Sequence, residues 1–301
     1  MAAAAIHQAG HQDFEFSDHD FRIISELANA RYGLFLQQSK KALVHSRLAK
    51  RLRALSLCNF EEYCNLIESP EGEAEQSHLL SALTTNVTHF FREMHHFDYL
   101  KSRIAPSLIE KARGGKPVRL WCSACSSGQE AYSIAAALIA ADAKVAQYDI
   151  KILATDIDPK VVQLATQGAY PADQVSAIPE EWKRTLLLQT KRADSKVEID
   201  PRLKSLISFG ELNLVAEWPM RRPFDVIFCR NAAIYFDKAT QARLWSRFSD
   251  ALVHDGHLMI GHSERLSGPA EKEFMNVGIT TYQKKPIQAA HRPKSNEGNR
   301  N

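Results

Sequence analysis

One short run of residues carries most of the information about the fold: Trp121-Cys-Ser-Ala-Cys-Ser-Ser-Gly-Gln-Glu130. An apolar stretch that begins at Val118 leads into the run, and a helix-patterned segment starts at Gln129. Strand, tight turn and helix in this order form the first unit of a doubly wound α/β fold, in which a nucleotide-like ligand lies over the turn. The run lacks a full GxGxxG and the lysine of a phosphate-binding loop, so it predicts a ligand site without identifying the ligand.

The second half of the chain repeats this alternation. Apolar strands are predicted at 118–123, 151–157, 224–230, 257–261 and 279–284, with helices at 129–143, 159–166 and 239–252. Near-continuous apolar strands between helices indicate a parallel sheet that is covered on both faces. The rhythm breaks at 170–208, which we interpret as an inserted β subdomain within a domain at 117–285.

Residues 14–88 have only helical patterns. Ser17 and Asp20 resemble a capping box, Gly33 is a plausible helix stop, and Asn59 marks a later helix start. In the second helix we expect a buried stripe of Leu43, Val44, Leu48, Leu52 and Leu55. Residues 89–116 are interpreted as a linker with a helix, whereas 1–13 and 286–301 are predicted to be disordered.

Composition narrows the class of protein. The 301 residues carry a net charge of only +3, and 45% are apolar types, which is typical of a globular protein. No apolar run reaches the ~18 residues of a membrane span, and the start of the chain lacks the pattern of a secretory signal. Five cysteines are an odd number, which argues against a disulfide framework and favours the cytoplasm. Cys122 and Cys125 form a CxxC without a second cysteine or histidine pair, so we expect packing residues and no metal site.

Acidic residues follow the first two predicted strands of the parallel sheet. Asp156, at the tip of the second strand, suits a ribose diol, whereas Asp158 is better explained as the cap of the next helix. Glu130 is a second candidate for the ribose, but a first-turn glutamate is also expected from the helix dipole alone.

The strand at 224–230 delivers Arg230 and Asn231 to the edge where such a sheet binds ligands. Tyr235 adds an aromatic face and a hydroxyl group. Two alanines, Ala232 and Ala233, stand where adenine N-methyltransferases have prolines, which argues against methylation of DNA amino groups. Upstream, residues 83–93 place hydroxyls, an amide and an arginine around two phenylalanines, a composition that a capped helix junction would explain equally well.

Taken together, these segments resemble the CheR family of chemotaxis receptor methyltransferases, which use S-adenosylmethionine. The resemblance extends from about Phe14 to Lys285, and its blocks occur in the same order. They are Thr84-Thr-Asn-Val-Thr-His-Phe-Phe-Arg92, the run 121–130, Ala154-Thr-Asp-Ile-Asp158, Asn213-Leu214, Phe228-Cys-Arg-Asn231 with Ile234-Tyr-Phe-Asp237, and Gly261-His-Ser-Glu264.

The resemblance implies a helical N-terminal domain, a linker and a doubly wound, Rossmann-like methyltransferase domain with a small antiparallel β subdomain. It also implies cofactor contacts from nine residues: Asn86, Thr88, Arg92, Glu130, Asp156, Asn213, Leu214, Arg230 and Asn231. Two departures from the family pattern are Gln129 in place of a glutamate and Ala232–Ala233 in place of Val-Met. The acidic role is therefore assigned to Glu130.

The implied reaction converts a receptor glutamate into a glutamyl methyl ester and leaves S-adenosylhomocysteine. A surface glutamate has a pKa of ~4.3 and is already ionised, so no general base is required. Arg92 and Tyr235 are the candidate catalytic residues. Arg92 either aligns the substrate carboxylate or holds the carboxylate of the cofactor, and Tyr235 lies beside the transferred methyl group.

A basic helix is the candidate docking surface. Between Gln37 and Asn59 there are six basic residues and no acidic one, and four of them are predicted to share a face: Lys40, Arg47, Lys50 and Arg51. Nucleic acid is the obvious alternative partner, but the aromatic residues of single-strand binders are absent. We expect the face to contact the cytoplasmic methylation helices of receptors, with the protein a monomer that binds no nucleic acid. The competing functions are a nucleic-acid methyltransferase and a cofactor-binding regulatory module without turnover.

Overall fold

The computed structural model describes residues 14–191 and 196–286. The predicted disordered N-terminus at 1–13 and tail residues 287–301 lie outside these ranges.

The first described segment is helical. Its four helices are α1 (Asp18–Tyr32), α2 (Lys41–Leu55), α3 (Phe60–Glu68) and α4 (Glu73–Leu83). The predicted caps are confirmed: the Ser17 hydroxyl accepts from the Asp20 N–H, and the Asp20 carboxylate accepts from the Ser17 N–H at 2.9 Å. Gly33 ends α1 in the left-handed region at φ +72°, and Asn59 caps α3.

The predicted stripe of α2 is wrong at one position. Val44, Leu48 and Leu52 are buried, but Leu43 is 44% exposed and Leu55 is half-buried. Residues 44, 48 and 52 recur every four positions on one helix face, and position 43 lies about 100° away round the helix. Leu43 is therefore at the edge of the buried face.

In the described residues, the linker and the second half of the chain contain eight more α-helices and ten strands. The helices are α5 (His95–Tyr99), α6 (Ala105–Arg113), α7 (Gln129–Ala141), α8 (Pro159–Gln167), α9 (Ala172–Ser176), α10 (Glu180–Leu186), α11 (Pro201–Lys204) and α12 (Lys238–Ala251). The strands are β1 (Val118–Cys122), β2 (Ile150–Asp156), β3 (Ala169–Pro171), β4 (Leu187–Lys191), β5 (Lys196–Ile199), β6 (Ile207–Glu211), β7 (Phe224–Cys229), β8 (Leu252–Ile260), β9 (Phe274–Gly278) and β10 (Thr281–Lys284). A π-helical turn, Leu100–Ile104, joins α5 to α6.

Seven strands form one sheet in the order β6-β2-β1-β7-β8-β10-β9. The first five are parallel, and β10 is antiparallel to both of its neighbours. The chain leaves β1 towards β2 and β6 on one side and returns to β7 on the other. Connections therefore diverge above β1 and β7, where an α/β sheet forms its ligand crevice. The expected doubly wound fold is confirmed.

The inserted segment forms a separate antiparallel sheet in the order β3-β5-β4, as predicted. Two strands of the main sheet, β6 and β9, are missing from the sequence-based assignment. Both are short and only partly buried, so neither gives a clear apolar run. Strand β8 also begins earlier than predicted, at Leu252, and its pairing with β7 contains an irregularity near its start.

The helical domain and the main sheet share a hydrophobic core. One continuous cluster includes Ile24 and Leu48 of the helices together with Trp121 and Ile227 of the sheet. At this junction a Cβ on Gly33 would lie 2.5 Å from the Val215 side chain, so only glycine fits. Among the described residues, no helix has the length and apolar character needed to span a membrane.

Candidate functional site

A cavity opens at the carboxyl ends of β1, β2, β6 and β7, under the linker that follows α4. It is lined by both domains, because Tyr32 and Leu34 at the end of α1 form part of its wall. The ten residues predicted for cofactor contact or catalysis all line it: Asn86, Thr88, Arg92, Glu130, Asp156, Asn213, Leu214, Arg230, Asn231 and Tyr235. The structure thus brings together residues that are spread over 150 positions of sequence.

The loop after β1 forms the floor and fixes a carboxylate. Gly128 has φ +96°, and a Cβ there would lie 2.8 Å from the Cβ of Ala165. The Ser126 and Asp158 N–H groups donate to the Asp156 carboxylate at 2.8 and 3.1 Å. Burial raises the pKa of Asp156, although these backbone hydrogen bonds oppose the shift. Asp156 is 8% exposed and faces the cavity as a fixed hydrogen-bond acceptor.

Asp158 has the capping role predicted for it. Its carboxylate accepts from the Lys160 N–H at 3.0 Å and so caps α8. Its other oxygen accepts from the Asn86 amide at 3.2 Å, which ties the linker to the loop after β2. Ser126 donates to the Asn86 carbonyl and fastens the linker a second time.

A buried ion network lies beneath the cavity. The Arg230 guanidinium binds Glu130 at 2.5 Å, lies 3.3 Å from Glu93 and donates to the Arg92 carbonyl. The Arg230 side chain is only 1% exposed, so its charge is balanced by these two acids rather than by water. Arg230 lines the cavity, but its charged group is already paired with Glu130, which lines the cavity as well.

Glu93 belongs to this ion network, although the sequence alone predicts no role for it. His262 donates to it at 2.9 Å. Burial raises the pKa of Glu93, but the hydrogen bond from His262 and the charge of Arg230 outweigh burial and lower the pKa to about 2. The available signal was its position directly after Arg92 in the linker block. Its φ of +57° marks a sharp turn there.

The same region contains two histidines. His96 is buried, accepts or donates at the Thr280 hydroxyl at 3.0 Å, and has its pKa lowered to about 3 by burial and by Arg230. Within residues 14–191 and 196–286, one group of possible metal ligands occurs, Glu93 with His95 and His96. The guanidinium of Arg230 beside Glu93 places a fixed positive charge at that point, which disfavours a cation. Absence of a metal stays a prediction.

The loop after β7 carries Asn231 and Tyr235. Asn231 has φ +57°, a backbone conformation that asparagine tolerates better than most residues. A 3₁₀ turn, Ala233–Tyr235, follows, and the Tyr235 hydroxyl donates to the Thr85 carbonyl at 3.3 Å. The backbone of this loop is held by Glu264, a second residue to which the sequence analysis gave no role.

The loop after β6 closes the far wall. Leu214 is buried there, and the Asn213 amide donates to the Arg31 carbonyl at 2.8 Å while its oxygen accepts from the Val215 N–H. Asn213 thus joins this loop to the end of α1. It lines the cavity as predicted, but its side chain already has protein partners.

The predicted docking residues divide into two pairs. Lys40 and Lys50 are exposed, whereas Arg47 and Arg51 are bound within the helical domain. Arg51 forms a bidentate ion pair with buried Glu75 at 2.6–2.9 Å. Arg47 donates to the carbonyls of residues 82–84 and to the Thr85 hydroxyl at 2.7 Å. Spacing predicts that the four residues share a face, but it does not reveal the partners of Arg47 and Arg51 on and just after α4, and Lys40 lies in the turn Gln38–Lys40 before α2.

The CxxC pair has the packing role predicted for it. Cys122 and Cys125 are fully buried, and all five cysteines are free. Burial raises the pKa of both thiols, which keeps them protonated and unreactive.

Comparisons with known proteins gave matches to two family models and to several relatives. Residues 86–283 match the family described as CheR methyltransferase, SAM binding domain, and residues 19–84 match CheR methyltransferase, all-alpha domain. The chain is 50% identical over 254 residues to a probable chemotaxis protein methyltransferase of Rhizobium etli, covering 83% of this chain and 94% of the relative. It is 38% identical to a chemotaxis protein methyltransferase of Borreliella burgdorferi (87% and 93% covered) and 39% identical to chemotaxis protein methyltransferase 2 of Pseudomonas aeruginosa (91% and 95% covered).

Proposed function

This chain belongs to the CheR methyltransferase family, and from that premise we propose that it methylates glutamate side chains of chemotaxis receptors with S-adenosylmethionine. The product is a glutamyl methyl ester on a cytoplasmic receptor helix. The observation that carries the proposal is the cavity at the carboxyl ends of β1 and β7, which gathers the ten predicted contact residues from five separate segments.

The polar groups of the cavity fit this cofactor. Asp156 is a fixed carboxylate suited to a ribose diol, and Glu130 is a second acid on the same side. The loop 123–130 has no lysine or arginine, as expected for a ligand without phosphates. Leu214, Asn213 and the end of α1 offer a partly apolar wall to an adenine ring. Bound there, the sulfonium would supply an activated methyl group.

Two residues prepare the acceptor. Arg92 is half-exposed at the cavity, and its guanidinium donates to the Val87 carbonyl at 3.1 Å. It holds a carboxylate by charge-assisted hydrogen bonds, either that of the incoming glutamate or that of the cofactor. Tyr235 is anchored through Thr85 and orients the acceptor oxygen. An ionised glutamate needs no base, so the task of these side chains is alignment and exclusion of water.

The partner is an acidic receptor helix. Its docking surface is formed by two exposed cations, Lys40 just before α2 and Lys50 on α2, together with the half-buried Arg47 and Arg51. Arg47 lies beside the linker, so this surface borders the cavity. The protein works in the cytoplasm as a monomer and binds no nucleic acid.

A labelled-methyl assay tests the proposal. Purified protein, S-adenosylmethionine labelled in its methyl group and receptor-containing membranes should give labelled receptor, and mild base should release the label as methanol. Label that survives mild base would indicate an N-methyl product and sink the ester assignment. Binding of S-adenosylhomocysteine without any transfer would favour a regulatory module instead.

A further inference from the structure

Glu264 is a buried acid that lies outside the cavity lining yet contacts the backbone of the site. It is 4% exposed and accepts four backbone hydrogen bonds. One carboxylate oxygen accepts from the N–H groups of Asn231 at 3.0 Å and Gly261 at 2.6 Å. The other accepts from Ala232 at 3.0 Å and Ala233 at 2.8 Å. Three of these four donors belong to the loop that carries Asn231 and Tyr235.

The loop depends on these bonds for its shape. Asn231 has a positive φ, and Ala232 and Ala233 lead into the 3₁₀ turn that ends at Tyr235. Their N–H groups point inward at the start of a turn, where no carbonyl of a preceding helical residue accepts them. The two oxygens of the Glu264 carboxylate satisfy all three of them.

Gly261, the fourth donor, leaves no room for a side chain between Asn231 and Glu264. A Cβ at this position would lie 2.7 Å from the Asn231 amide nitrogen and 2.9 Å from the Glu264 carboxylate. The carboxylate and the Asn231 side chain thus converge on one glycine at the end of β8. Gly261 and Glu264 occur in the same block, Gly261-His-Ser-Glu264.

We propose that Glu264 is a positioning residue for methyl transfer, which sets Asn231 and the Tyr235 turn at the cavity through four backbone hydrogen bonds. The inference rests on the proposed function, because it assigns Glu264 an effect on turnover. It acts through the loop and touches neither cofactor nor substrate.

The variant Glu264→Gln tests this with little change of shape. An amide has one acceptor oxygen, and its NH₂ group would face two N–H donors. The loop should then shift, and we expect kcat to fall at least about tenfold while the dissociation constant of S-adenosylhomocysteine rises less than about fivefold. The matched control is Asp225→Asn at the opposite end of β7, where a buried carboxylate also accepts a backbone N–H, from Arg119 at 2.9 Å. It should lower the melting temperature and leave kcat unchanged.

A double-mutant cycle separates positioning from general destabilisation. If Glu264 acts by placing Tyr235, Tyr235→Phe should cost turnover in the wild type and almost nothing in the Glu264→Gln background. Additive losses, or wild-type kcat in Glu264→Gln, would overturn the inference. A wild type that transfers no methyl group at all would instead refute the proposed function. In that case, amide hydrogen exchange in residues 231–235 as slow in Glu264→Gln as in the wild type would refute the positioning role separately.

Discussion

Tyr235 has a hydroxyl group that can act on the acceptor while its ring only lines the cavity. We expect Tyr235→Phe to lower kcat about tenfold, equivalent to one lost hydrogen bond in the transition state, and to leave the affinity for S-adenosylhomocysteine unchanged. Steady-state kinetics and calorimetry measure the two quantities. Tyr148→Phe, which removes a hydroxyl at the opposite edge of the sheet, serves as the control. Unchanged turnover in Tyr235→Phe would remove this residue from the mechanism.

Replacing Arg230 should affect stability as well as binding, because its charge is buried between two acids. Arg230→Met leaves Glu130 and Glu93 without their shared cation in a water-poor site. We expect a loss of about 3–5 kcal/mol in the free energy of unfolding, together with weaker cofactor binding. Denaturant titration with and without S-adenosylhomocysteine measures both effects. Arg113→Met, which breaks an exposed pair with Asp142, should change stability far less.

At the scale of elements, α2 holds the linker that covers the cavity. Arg47 donates to three carbonyls at the end of α4 and to the Thr85 hydroxyl. Arg47→Ala should therefore release the linker, seen as faster amide hydrogen exchange in residues 84–92 and a higher KM for the cofactor. Arg47→Lys should not restore the wild-type behaviour, because a lysine ammonium lacks the forked guanidinium that donates to several acceptors at once. Exchange as slow as in the control Lys50→Ala would contradict this account.

The elements show which features a sequence can predict. Helix caps at Ser17, Asn59 and Asp158 are predictable because each partner lies two or three residues away. The apolar runs of β1, β2 and β7 are equally local, and their order places Asp156 and Arg230 at one edge. Short, half-exposed β6 and β9 give no such pattern.

The contacts inside the site cannot be predicted in this way, because their partners lie far apart in the sequence. Arg230 and Glu130 are 100 residues apart, and Arg47 meets Thr85 across 38 residues. Spacing along the chain predicts a basic face on α2, but only the packing of α4 against it shows that Arg47 and Arg51 are bound within the domain. Glu264 was visible as part of a family block, yet its role follows only from the loop that folds around it.

For the whole molecule, buried ionisable groups predict sensitivity to acid. Burial lowers the pKa of His96 to about 3 and that of His257 to about 4, both below the ordinary 6.5. At a pH between the folded pKa of each histidine and 6.5, the unfolded chain binds protons that the folded protein does not. The free energy of unfolding therefore falls as the pH falls. The slope approaches about 1.4 kcal/mol per pH unit for each histidine near pH 5.

Urea titrations from pH 7.5 to 5 measure this slope. His257→Gln, remote from the cavity lining, should reduce it by roughly half. Below pH 4.5, Glu93 adds to the loss, because its folded pKa of about 2 is also lower than its ordinary value. A stability that is flat from pH 7.5 to 5 would mean that these histidines take up protons in the folded state.

If the proposed function holds, both domains contribute to the surface that an acidic receptor helix contacts on its way to the cavity. Lys50 lies on α2 and Lys40 in the turn just before it, and unlike Arg47 and Arg51 both are exposed rather than bound within the domain. Lys40→Glu/Lys50→Glu should raise the KM for receptor at least about tenfold at low salt, since attraction becomes repulsion, and leave cofactor affinity unchanged. The salt dependence of the KM should weaken in parallel. Lys116→Glu/Lys144→Glu makes the same change of net charge at the amino ends of β1 and β2 and should behave as the wild type. Equal losses in both double variants would show that net charge alone, and not a docking surface on α2, guides the receptor.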